Sequence, residues 1–509
     1  MLGAVAHSQV VTTDTGPVQG LATATYRSFL GIPYAAPPVG NLRWKAPQPA
    51  ARWHGVRLAL AAGSTCMQTN PQTGLIVGAE DCLFVNVYTP ANANPSSKLP
   101  VMVWLHGGAM TTGSGSDPQY DASVLTGKAN AVIVTLNYRL GALGFLGHPA
   151  LFGESADAAG NYGLLDVQAA LRWVKNNISA FGGDHCKVTL FGGSSGALLV
   201  WDNIASPTAA GLFHRAITQS FAPSFVPNIL GGTYTPDQAQ GIGLATAANA
   251  GCVGSDSAAL ACLRGKTGSQ IVTAQGATAL TAQFGPVIGG HYLPMLPFQA
   301  LLTGAYNHVS MINGSNHDEA TFIVDAAFDL QGQPLTTASY EAIVTQMFGP
   351  AAPAVLAQYP ASNYSTPGVA YATLLTDSGF SCTARTVNRT IGNTVSLYAY
   401  EFNDPNAPAF IPSFNFPLKA YHGAEIQYIF QSAFAALILT PSQFALSDQM
   451  IKYWGKFAAT GSPNSSGSPN WQKYNPSSDT YLSFVPGNVH MISDFAVDHK
   501  CAFWANFGI

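Results

Sequence analysis

Residues 187–197 of the chain read KVTLFGGSSGA and join a short apolar run to a glycine-rich turn. The run at 187–191 is typical of a buried strand, and residues 192–196 match the pattern G-x-S-x-G. In that pattern the central serine lies on a sharp turn from a strand to a helix, which exposes its hydroxyl above a sheet. Ser194 is therefore the candidate nucleophile. Because 51 of the 509 residues are glycine, the interpretation depends on suitable partners elsewhere.

A serine nucleophile needs a base that accepts its proton and a third group that orients the base. Glu319 and then His422 follow Ser194 in the chain, and serine, acid, histidine is the order found in α/β-hydrolases. Spacing alone leaves the roles of base and acid open, because the chain offers other candidates for them: His106, His317 and Asp318.

Acyl transfer also needs fixed N–H donors for the oxyanion that develops on the carbonyl oxygen. Gly107-Gly108-Ala109 follows the apolar run at 99–105, and a glycine-rich backbone there can turn its N–H groups toward an anion. The N–H of Ser195, directly after the candidate nucleophile, is the usual additional donor. The sequence thus contains a candidate for each of these roles.

Apolar runs and helix-like stretches alternate along the chain. The runs suit strands that are buried on both faces, and they lie at 99–105, 131–136, 187–191, 309–313 and 395–402. Residues 164–178 have apolar side chains at helical spacing, and residues 10–22 alternate around a turn as in a β-hairpin. The pattern predicts an α/β-hydrolase fold, with a large, mainly parallel central sheet flanked by helices and an N-terminal β-hairpin. We find no repeat or linker within residues 7–509, and we expect them to form a single catalytic domain.

The composition excludes several classes of partner. Charged residues make up 9% of the chain, the net charge is −4 and no lysine- or arginine-rich run is present, which argues against nucleic acid and anionic lipid. The apolar runs are shorter than the 18 or so residues of a membrane-spanning helix, so no transmembrane segment is expected. Residues 1–6, MLGAVA, end in Ala-x-Ala and fit either a secretory-signal remnant or an ordinary terminus.

Long blocks of the chain resemble the type-B carboxylesterases, the esterase and lipase family that includes the cholinesterases. The resemblance extends over residues 29–507. Its most specific blocks are FLGIPYAAPPVGNLRW at 29–44, EDCLFVNVYTP at 80–90, NYRLGALGFL at 137–146, SPTAAGLFHRAITQS at 206–220 and CAFWANF at 501–507.

The resemblance assigns the roles that spacing leaves open. The acid motif of the family matches NGSNHDEA at 313–320, and its His-Gly block matches YHGAEIQYIF at 421–430. This match implies that Glu319 is the acid and His422 the base. The three-glycine loop of the family matches residues 107–109, which implies that the oxyanion donors are Gly108, Ala109 and Ser195. Neither a metal nor a cofactor is implied.

The chain also departs from the family pattern near the candidate nucleophile. Gly193 stands where the family usually has glutamate, and Ser195 stands where it has alanine. Ala109 and Ala320 each replace a glycine. None of these changes removes a catalytic group, but Gly193 removes a negative charge close to the site.

The seven cysteines are an odd number, so at least one is unpaired within the chain. The resemblance implies three pairs, Cys66–Cys82, Cys252–Cys262 and Cys382–Cys501. It leaves Cys186, which we expect to be a packed, inert thiol rather than a redox-sensitive thiol near the site. Three disulfides require an oxidising compartment, so we expect a secreted or periplasmic protein.

Together these features predict a serine carboxylic-ester hydrolase that forms an acyl-enzyme from uncharged carboxylic esters. The alternatives are a lipase for long-chain acylglycerols and a non-catalytic adhesion or binding protein on the same fold. The 15 residues between Cys66 and Cys82 are far fewer than in the lid of interfacially activated relatives, and they include no aromatic residue. In cholinesterases this loop contributes a tryptophan to choline binding, so the chain is expected not to be a cholinesterase.

Overall fold

The computed structural model describes residues 7–224, 232–276, 284–409, 417–433, 435 and 438–509. Residues 1–6, the candidate signal remnant, lie outside the described residues. The strands are β1 (His7–Thr12), β2 (Pro17–Ala22), β3 (Tyr26–Pro33), β4 (Arg57–Leu58), β5 (Gln68–Thr69), β6 (Ile76–Val77), β7 (Phe84–Pro90), β8 (Leu99–Leu105), β9 (Val132–Leu136), β10 (Gly183–Gly193), β11 (Arg215–Gln219), β12 (Ser310–Asn316), β13 (Leu397–Phe402), β14 (Tyr481–Phe484) and β15 (His490–Ile492).

The α-helices are α1 (Ser123–Ala129), α2 (Gly141–Phe145), α3 (Pro149–Glu154), α4 (Tyr162–Asn177), α5 (Ser195–Ala205), α6 (Pro236–Asn249), α7 (Ser257–Gly265), α8 (Gly268–Ala274), α9 (Pro297–Thr303), α10 (Ala320–Val324), α11 (Thr337–Phe348), α12 (Ala352–Gln358), α13 (Pro367–Thr376), α14 (Cys382–Ile391), α15 (Ile426–Phe430), α16 (Pro441–Thr460), α17 (Phe495–Asp498) and α18 (Cys501–Trp504). Two π-type turns, Asp325–Asp329 and Asp377–Ser381, follow α10 and α13.

One large sheet has the strand order β1-β2-β3-β7-β9-β8-β10-β11-β12-β13-β14-β15, with β4 beside β2. The seven strands from β9 to β14 in this order pair in parallel, and antiparallel strands lie on both sides of them. Strands β1 and β2 form the predicted N-terminal hairpin. The mainly parallel sheet flanked by helices confirms the predicted α/β-hydrolase fold.

The strand order reverses between β8 and β10. After β8 the chain passes through α1 to β9 on one side of β8, whereas β10 pairs with β8 on the other side. The carboxyl ends of two strands at such a switch point leave a crevice in which α/β proteins bind ligands. Both candidate segments start there, since His106 directly follows β8 and Ser194 directly follows β10.

Aromatic side chains fill the core beneath this crevice. The ring of Trp104 on β8 lies 4.8 Å from that of Phe191 on β10 and 5.1 Å from that of Phe430 on α15, measured between centroids. All three side chains are fully buried. Because aromatic rings bury large apolar areas, this packing fixes the ends of β8 and β10 relative to α15.

Charged residues in three of the quoted blocks form buried or largely buried ion pairs. Arg139 Nη2 lies 2.7 Å from Asp166 Oδ1, and Arg139 Nε lies 2.8 Å from Asp166 Oδ2, so the loop after β9 is attached to α4. Arg43 Nε lies 2.7 Å from Glu80 Oε2. Removing one partner of a buried pair would leave an uncompensated charge. These charged residues therefore have a structural role.

The structure joins the three cysteine pairs that the resemblance implies: Cys66–Cys82, Cys252–Cys262 and Cys382–Cys501. The prediction of a packed Cys186 is wrong, because this thiol is exposed. Cys186 lies in the part of β10 where the register with β8 shifts between Gly183 and Val188. It precedes Ser194, which directly follows this strand, by eight residues, a separation of roughly 25 Å for an extended chain, so it is not near the candidate site.

Among the residues that the model describes, no helix has both the length and the apolar character needed to cross a bilayer.

Candidate active site

Ser194 lies on the turn between β10 and α5, as the sequence pattern predicts. Its φ of 57° and ψ of −130° are unusual for a residue with a side chain, and such strain is found at functional turns. The glycines on both sides are required by close backbone contacts. A Cβ at Gly192 would lie 2.6 Å from the carbonyl carbon of Gly196, and one at Gly196 would lie 2.1 Å from the Leu105 oxygen.

The loop after β8 lies against the candidate nucleophile. A methyl group placed on Gly107 would lie 3.0 Å from Ser194 Cβ. Ala109 has a left-handed backbone with φ of 52°, which the methyl group tolerates at some cost. Within the described part of the chain, the N–H groups of Gly108 and Ala109 donate no hydrogen bond. Ser195 is the first residue of α5, and the N–H of that position has no acceptor inside the helix.

The Ser195 hydroxyl has a role that the sequence did not reveal. Its Oγ accepts a hydrogen bond of 3.3 Å from the Met110 N–H, and the Met110 carbonyl accepts one of 2.6 Å from the Gly141 N–H. The loop that carries Gly108 and Ala109 is therefore held from both sides. An alanine, the usual residue of the family at position 195, has no hydroxyl with which to make this contact.

Glu319 and His422 form a direct pair, although 103 residues separate them. His422 Nδ1 lies 2.6 Å from Glu319 Oε2, and the His422 N–H donates to the Glu319 carbonyl at 3.1 Å. The other carboxylate oxygen, Oε1, accepts from the Asn316 N–H at 2.8 Å. Glu319 is fully buried. The Nε2 of His422 is also buried and, among the described residues, has no hydrogen-bond partner, so it is available to accept a proton.

The side chain of Ile426 connects the segments that carry Ser194 and His422. A methyl group at Gly193, directly before Ser194, would lie 3.6 Å from Ile426 Cδ1, and one at Gly423, directly after His422, would lie 3.8 Å from the same atom. The backbone next to Ser194 and the backbone next to His422 thus flank one side chain. Ser194 Oγ and His422 Nε2, both within the described residues, form no hydrogen bond with each other, and such contacts are often long in the absence of substrate.

The pKa of His422 reflects opposing effects. Burial lowers the pKa of the imidazole, but the charge of Glu319 and its hydrogen bond raise it by more, so the pKa lies above its usual value near 6.5. A carboxylate in this position also fixes the tautomer, because Nδ1 carries the proton that it donates to Glu319 and Nε2 is left as the acceptor.

The rival residues for base and acid have other partners. His106 Nδ1 lies 2.7 Å from the Gly107 carbonyl, and its ring stacks on Tyr138 at 4.4 Å. Burial lowers the pKa of His106 to about 4. His317 contacts the carboxylate of Asp318 at 3.0 Å rather than Glu319. Of these acids and histidines, only His422 combines a carboxylate partner on Nδ1, Glu319, with a buried Nε2 that has no partner among the described residues.

Glu425 and Gln219 were not identified from the sequence. The Gln219 carbonyl accepts the Ser194 N–H at 2.9 Å, and its side-chain amide donates to Glu425 Oε1 at 3.0 Å. The other oxygen of Glu425 accepts from Asn316 Nδ2 at 2.6 Å. Burial and the nearby charge of Glu319 raise the pKa of the Glu425 carboxyl. This buried network connects the turn that carries Ser194 to the loop between β12 and α10 that carries Glu319, here called the acid loop, and so fixes the two segments relative to each other. The role of Glu425 and Gln219 depends on contacts with residues that are distant in sequence, so no local pattern could have identified it.

The side chains packed next to Gly193 are apolar and buried. A methyl group there would lie 3.3 Å from Trp104 Cη2, in addition to its contact with Ile426. The disulfide loop between Cys66 and Cys82 contains the short hairpin β5–β6, and the buried Gln68 side chain attaches it to the chain after β8. Its Oε1 accepts the Gly113 N–H at 2.7 Å, and its Nε2 donates to the Gly113 carbonyl at 2.8 Å.

Comparison with known proteins gives a consistent result. Residues 7–504 match the model of the carboxylesterase family. The chain is 33% identical to human cocaine esterase, with 98% of this chain and 91% of that protein covered. It is 35% identical to para-nitrobenzyl esterase of Bacillus subtilis (strain 168), with 92% of each covered. A solved structure of a PNB esterase superposes with a TM-score of 0.81 at 31% identity and covers 97% of this chain and 99% of that one. With its serine turn and its Glu–His pair, the chain belongs to the carboxylesterase family and is a carboxylic-ester hydrolase.

Proposed function

We propose that Ser194, His422 and Glu319 are the catalytic triad of this esterase. The observation that carries the proposal is the 2.6 Å hydrogen bond between His422 Nδ1 and Glu319, which leaves Nε2 unpartnered among the described residues. Ser194 Oγ attacks the ester carbonyl while Nε2 accepts its proton. His422 then protonates the leaving alcohol, and water, activated by the same nitrogen, hydrolyses the acyl-enzyme.

The oxyanion of the tetrahedral intermediate is bound by the N–H groups of Gly108, Ala109 and Ser195. Support comes from their lack of acceptors in the described part of the chain and from the contacts of Met110, which fix the loop before substrate arrives. Donors that are already oriented toward the developing charge need no reorganisation during reaction, and each contributes on the order of 3 kcal/mol to transition-state stabilisation.

We expect kcat/KM to fall with decreasing pH as His422 becomes protonated, because only the neutral imidazole accepts the serine proton. Since the charge of Glu319 raises the pKa of His422, the midpoint of the acidic limb should lie above about 6.5. The measurement is kcat/KM for 4-nitrophenyl butyrate between about pH 5 and about pH 9, with absorbance corrected for nitrophenol ionisation. A profile that stays flat down to the lowest pH would exclude a histidine base.

The substrates are uncharged carboxylic esters. Both features that would attract a quaternary ammonium group are absent from this sequence: the loop at 67–81 has no aromatic residue, and position 193 is glycine instead of glutamate. Burying a quaternary ammonium group would then cost hydration that neither position 193 nor the loop at 67–81 offsets.

This substrate proposal predicts a preference between two thioesters of nearly equal size. The neutral 3,3-dimethylbutyl thiobutyrate should have a kcat/KM, relative to its own rate of hydroxide-catalysed hydrolysis, at least about tenfold above that of butyrylthiocholine. The two match in size and differ in charge, and this normalisation corrects for the greater acidity of the thiocholine thiol. Both are followed by thiol release under identical conditions. Equal or faster hydrolysis of the choline ester on this normalised scale would reveal a cation site and contradict the proposal.

A lipase that acts at an oil interface is the weaker candidate. Its lid would have to move away from the site, whereas the short Cys66–Cys82 loop is fixed by two hydrogen bonds between the Gln68 side chain and the Gly113 backbone. These contacts favour an esterase for dispersed substrates over an interfacially activated enzyme.

We further infer that residues 7–509 form one catalytic domain and that the protein works in an oxidising compartment, outside the cell or in the periplasm. The first inference is supported by a single sheet whose strands extend from His7 to Ile492. The second is supported by the three disulfides, since reducing compartments do not maintain such bonds.

A further inference from the structure

A cluster of side chains that could bind a metal ion lies beside the acid loop and is separate from the proposed triad. It consists of His317, Glu401 and His499, which each offer one ligand atom, and these atoms lie within 4.8 Å of one another. His317 follows β12, Glu401 is on β13, and His499 follows α17. Three segments that are distant in sequence thus meet at one point near the carboxyl ends of two adjacent parallel strands.

The two imidazoles each direct Nε2 at a carboxylate. His499 Nε2 lies 2.7 Å from Glu401 Oε1, and His317 Nε2 lies 3.0 Å from Asp498 Oδ2. The two rings are neighbours, with centroids 5.3 Å apart. Two nitrogens and one carboxylate, common ligands of zinc, therefore lie together in this cluster, and the Asp498 carboxylate is within hydrogen-bond distance of His317.

The other nitrogen of each ring is held by a further carboxylate. His317 Nδ1 lies 3.0 Å from Asp318 Oδ2, and His499 Nδ1 lies 2.7 Å from Asp377 Oδ1. The Tyr359 hydroxyl donates to the remaining oxygen of Asp377 at 2.7 Å and fixes it in turn. Histidines that bind metals usually donate this second N–H to a carboxylate, which sets the tautomer and the ring orientation. The cluster contains that arrangement twice.

The net charge of the cluster is compatible with one bound divalent cation. Its four carboxylates are partly balanced by two ammonium groups, Lys419 Nζ at 3.4 Å from Asp318 and Lys500 Nζ at 3.5 Å from Asp377. The carboxylates of Glu401 and Asp498 are left with the two imidazoles as their partners. The buried Glu401 carboxylate needs a compensating charge, which an imidazolium proton or a divalent metal ion would supply.

We propose that His317, His499, Glu401 and Asp498 bind one Zn²⁺ ion. The ion replaces the two Nε2 protons, which leave for solvent, so the total charge of the cluster does not change. Glu401 and His499 are buried, whereas the side chains of His317 and Asp498 are 27% and 59% exposed, which gives the ion an access route. Two nitrogen and two carboxylate donors match the four ligands of a structural zinc site.

The bound ion connects the C-terminal segment to the acid loop. His317 precedes Glu319 by two residues, and His499 precedes Cys501 of the Cys382–Cys501 disulfide by two. The role is structural, since His317 and His499 have no contact with His422 among the described hydrogen bonds. Because the folded chain alone assembles all four ligands, zinc should raise the temperature of unfolding.

The test uses the full chain with Cys186→Ser. This background removes the exposed group of Asp184, His185 and Cys186, whose ligand atoms also lie within 4.8 Å of one another. The protein is treated with chelator, equilibrated with Zn²⁺ and freed of excess metal by gel filtration, and its zinc is then measured by mass spectrometry. We expect about one ion per chain and a higher unfolding temperature than for the metal-free protein.

Two variants probe the partly exposed ligands, which are the ones that folding should tolerate. His317→Gln and Asp498→Asn should each weaken zinc binding by about tenfold or more and remove the thermal shift. His490→Gln, which changes an exposed histidine outside the cluster, is the matched control and should keep both. Loss of bound zinc in the Cys186→Ser background would overturn the proposal, as would unchanged affinity in both ligand variants. The cluster would then be a network of protonated ion pairs.

Discussion

Ser194→Ala is expected to reduce kcat for ester hydrolysis by about 10⁴-fold or more, the scale seen when a triad nucleophile is removed. The substitution deletes Oγ and leaves Cβ, so the turn keeps its backbone contacts, among them the hydrogen bond from the residue 194 N–H to the Gln219 carbonyl. We therefore expect the circular dichroism spectrum and the unfolding temperature to stay close to those of the parent. Initial rates with 4-nitrophenyl butyrate measure the loss.

Ser195→Ala is the matched comparison for the nucleophile, since it also deletes one hydroxyl. It keeps the N–H that we assign to the oxyanion hole and loses the acceptor of the Met110 N–H and the hydrogen bond with the Tyr138 side chain. Each such hydrogen bond contributes about 1 kcal/mol, so the loss of activity should be roughly 30-fold at most. The assignment fails if Ser195→Ala inactivates the enzyme while Ser194→Ala retains more than a few per cent of its activity.

Glu319→Gln is expected to reduce kcat by about 10⁴-fold, as replacing the carboxylate of a triad by an amide does elsewhere. An amide can donate its N–H to His422 Nδ1, and the proton then moves to Nε2, the nitrogen that has to accept from Ser194. The substitution also removes the charge that raises the pKa of His422. The acidic limb of the remaining activity should therefore move to lower pH, a shift that a purely structural defect would not produce.

Asp318→Asn makes the same chemical change at the adjacent residue. The Asp318 carboxylate contacts His317 and Lys419 and not His422, so its loss should reduce kcat at least about 100-fold less than the change at Glu319. If Asp318→Asn were the more damaging of the two, the assignment of Glu319 as the triad acid would have to be abandoned.

The fold could be predicted from sequence where the pattern is local. The apolar run at 99–105 coincides with β8, and the run at 187–191 lies inside the longer β10. Strand β10 begins earlier than the apolar run. The sequence pattern misses this start because the first residues of the strand, including His185 and Cys186, are polar or exposed and give no apolar signal. The exposure of Cys186 could not be predicted either, because the register shift that accompanies it has no signature in the residue types.

The residues of the candidate site also differ in whether a local sequence pattern reveals them. Ser194 could be found from five adjacent residues, whereas the choice of Glu319 over Asp318 required the family resemblance and agrees with the observed contact to His422. Gln219 and Glu425 could not be found at all. Their role comes from hydrogen bonds across 25 and 109 residues of chain, to Ser194 and Asn316 respectively, and no local pattern records such contacts.

Covalent labelling tests the central claim most directly. Diethyl 4-nitrophenyl phosphate transfers its diethylphosphoryl group to an activated serine oxygen as the P–O bond to 4-nitrophenolate breaks and the serine proton passes to the base. After full inactivation, peptide mass spectrometry should find one diethylphosphoryl group on Ser194, and Ser194→Ala should remain unlabelled. Complete loss of activity with the label on another residue and Ser194 unmodified would contradict the account.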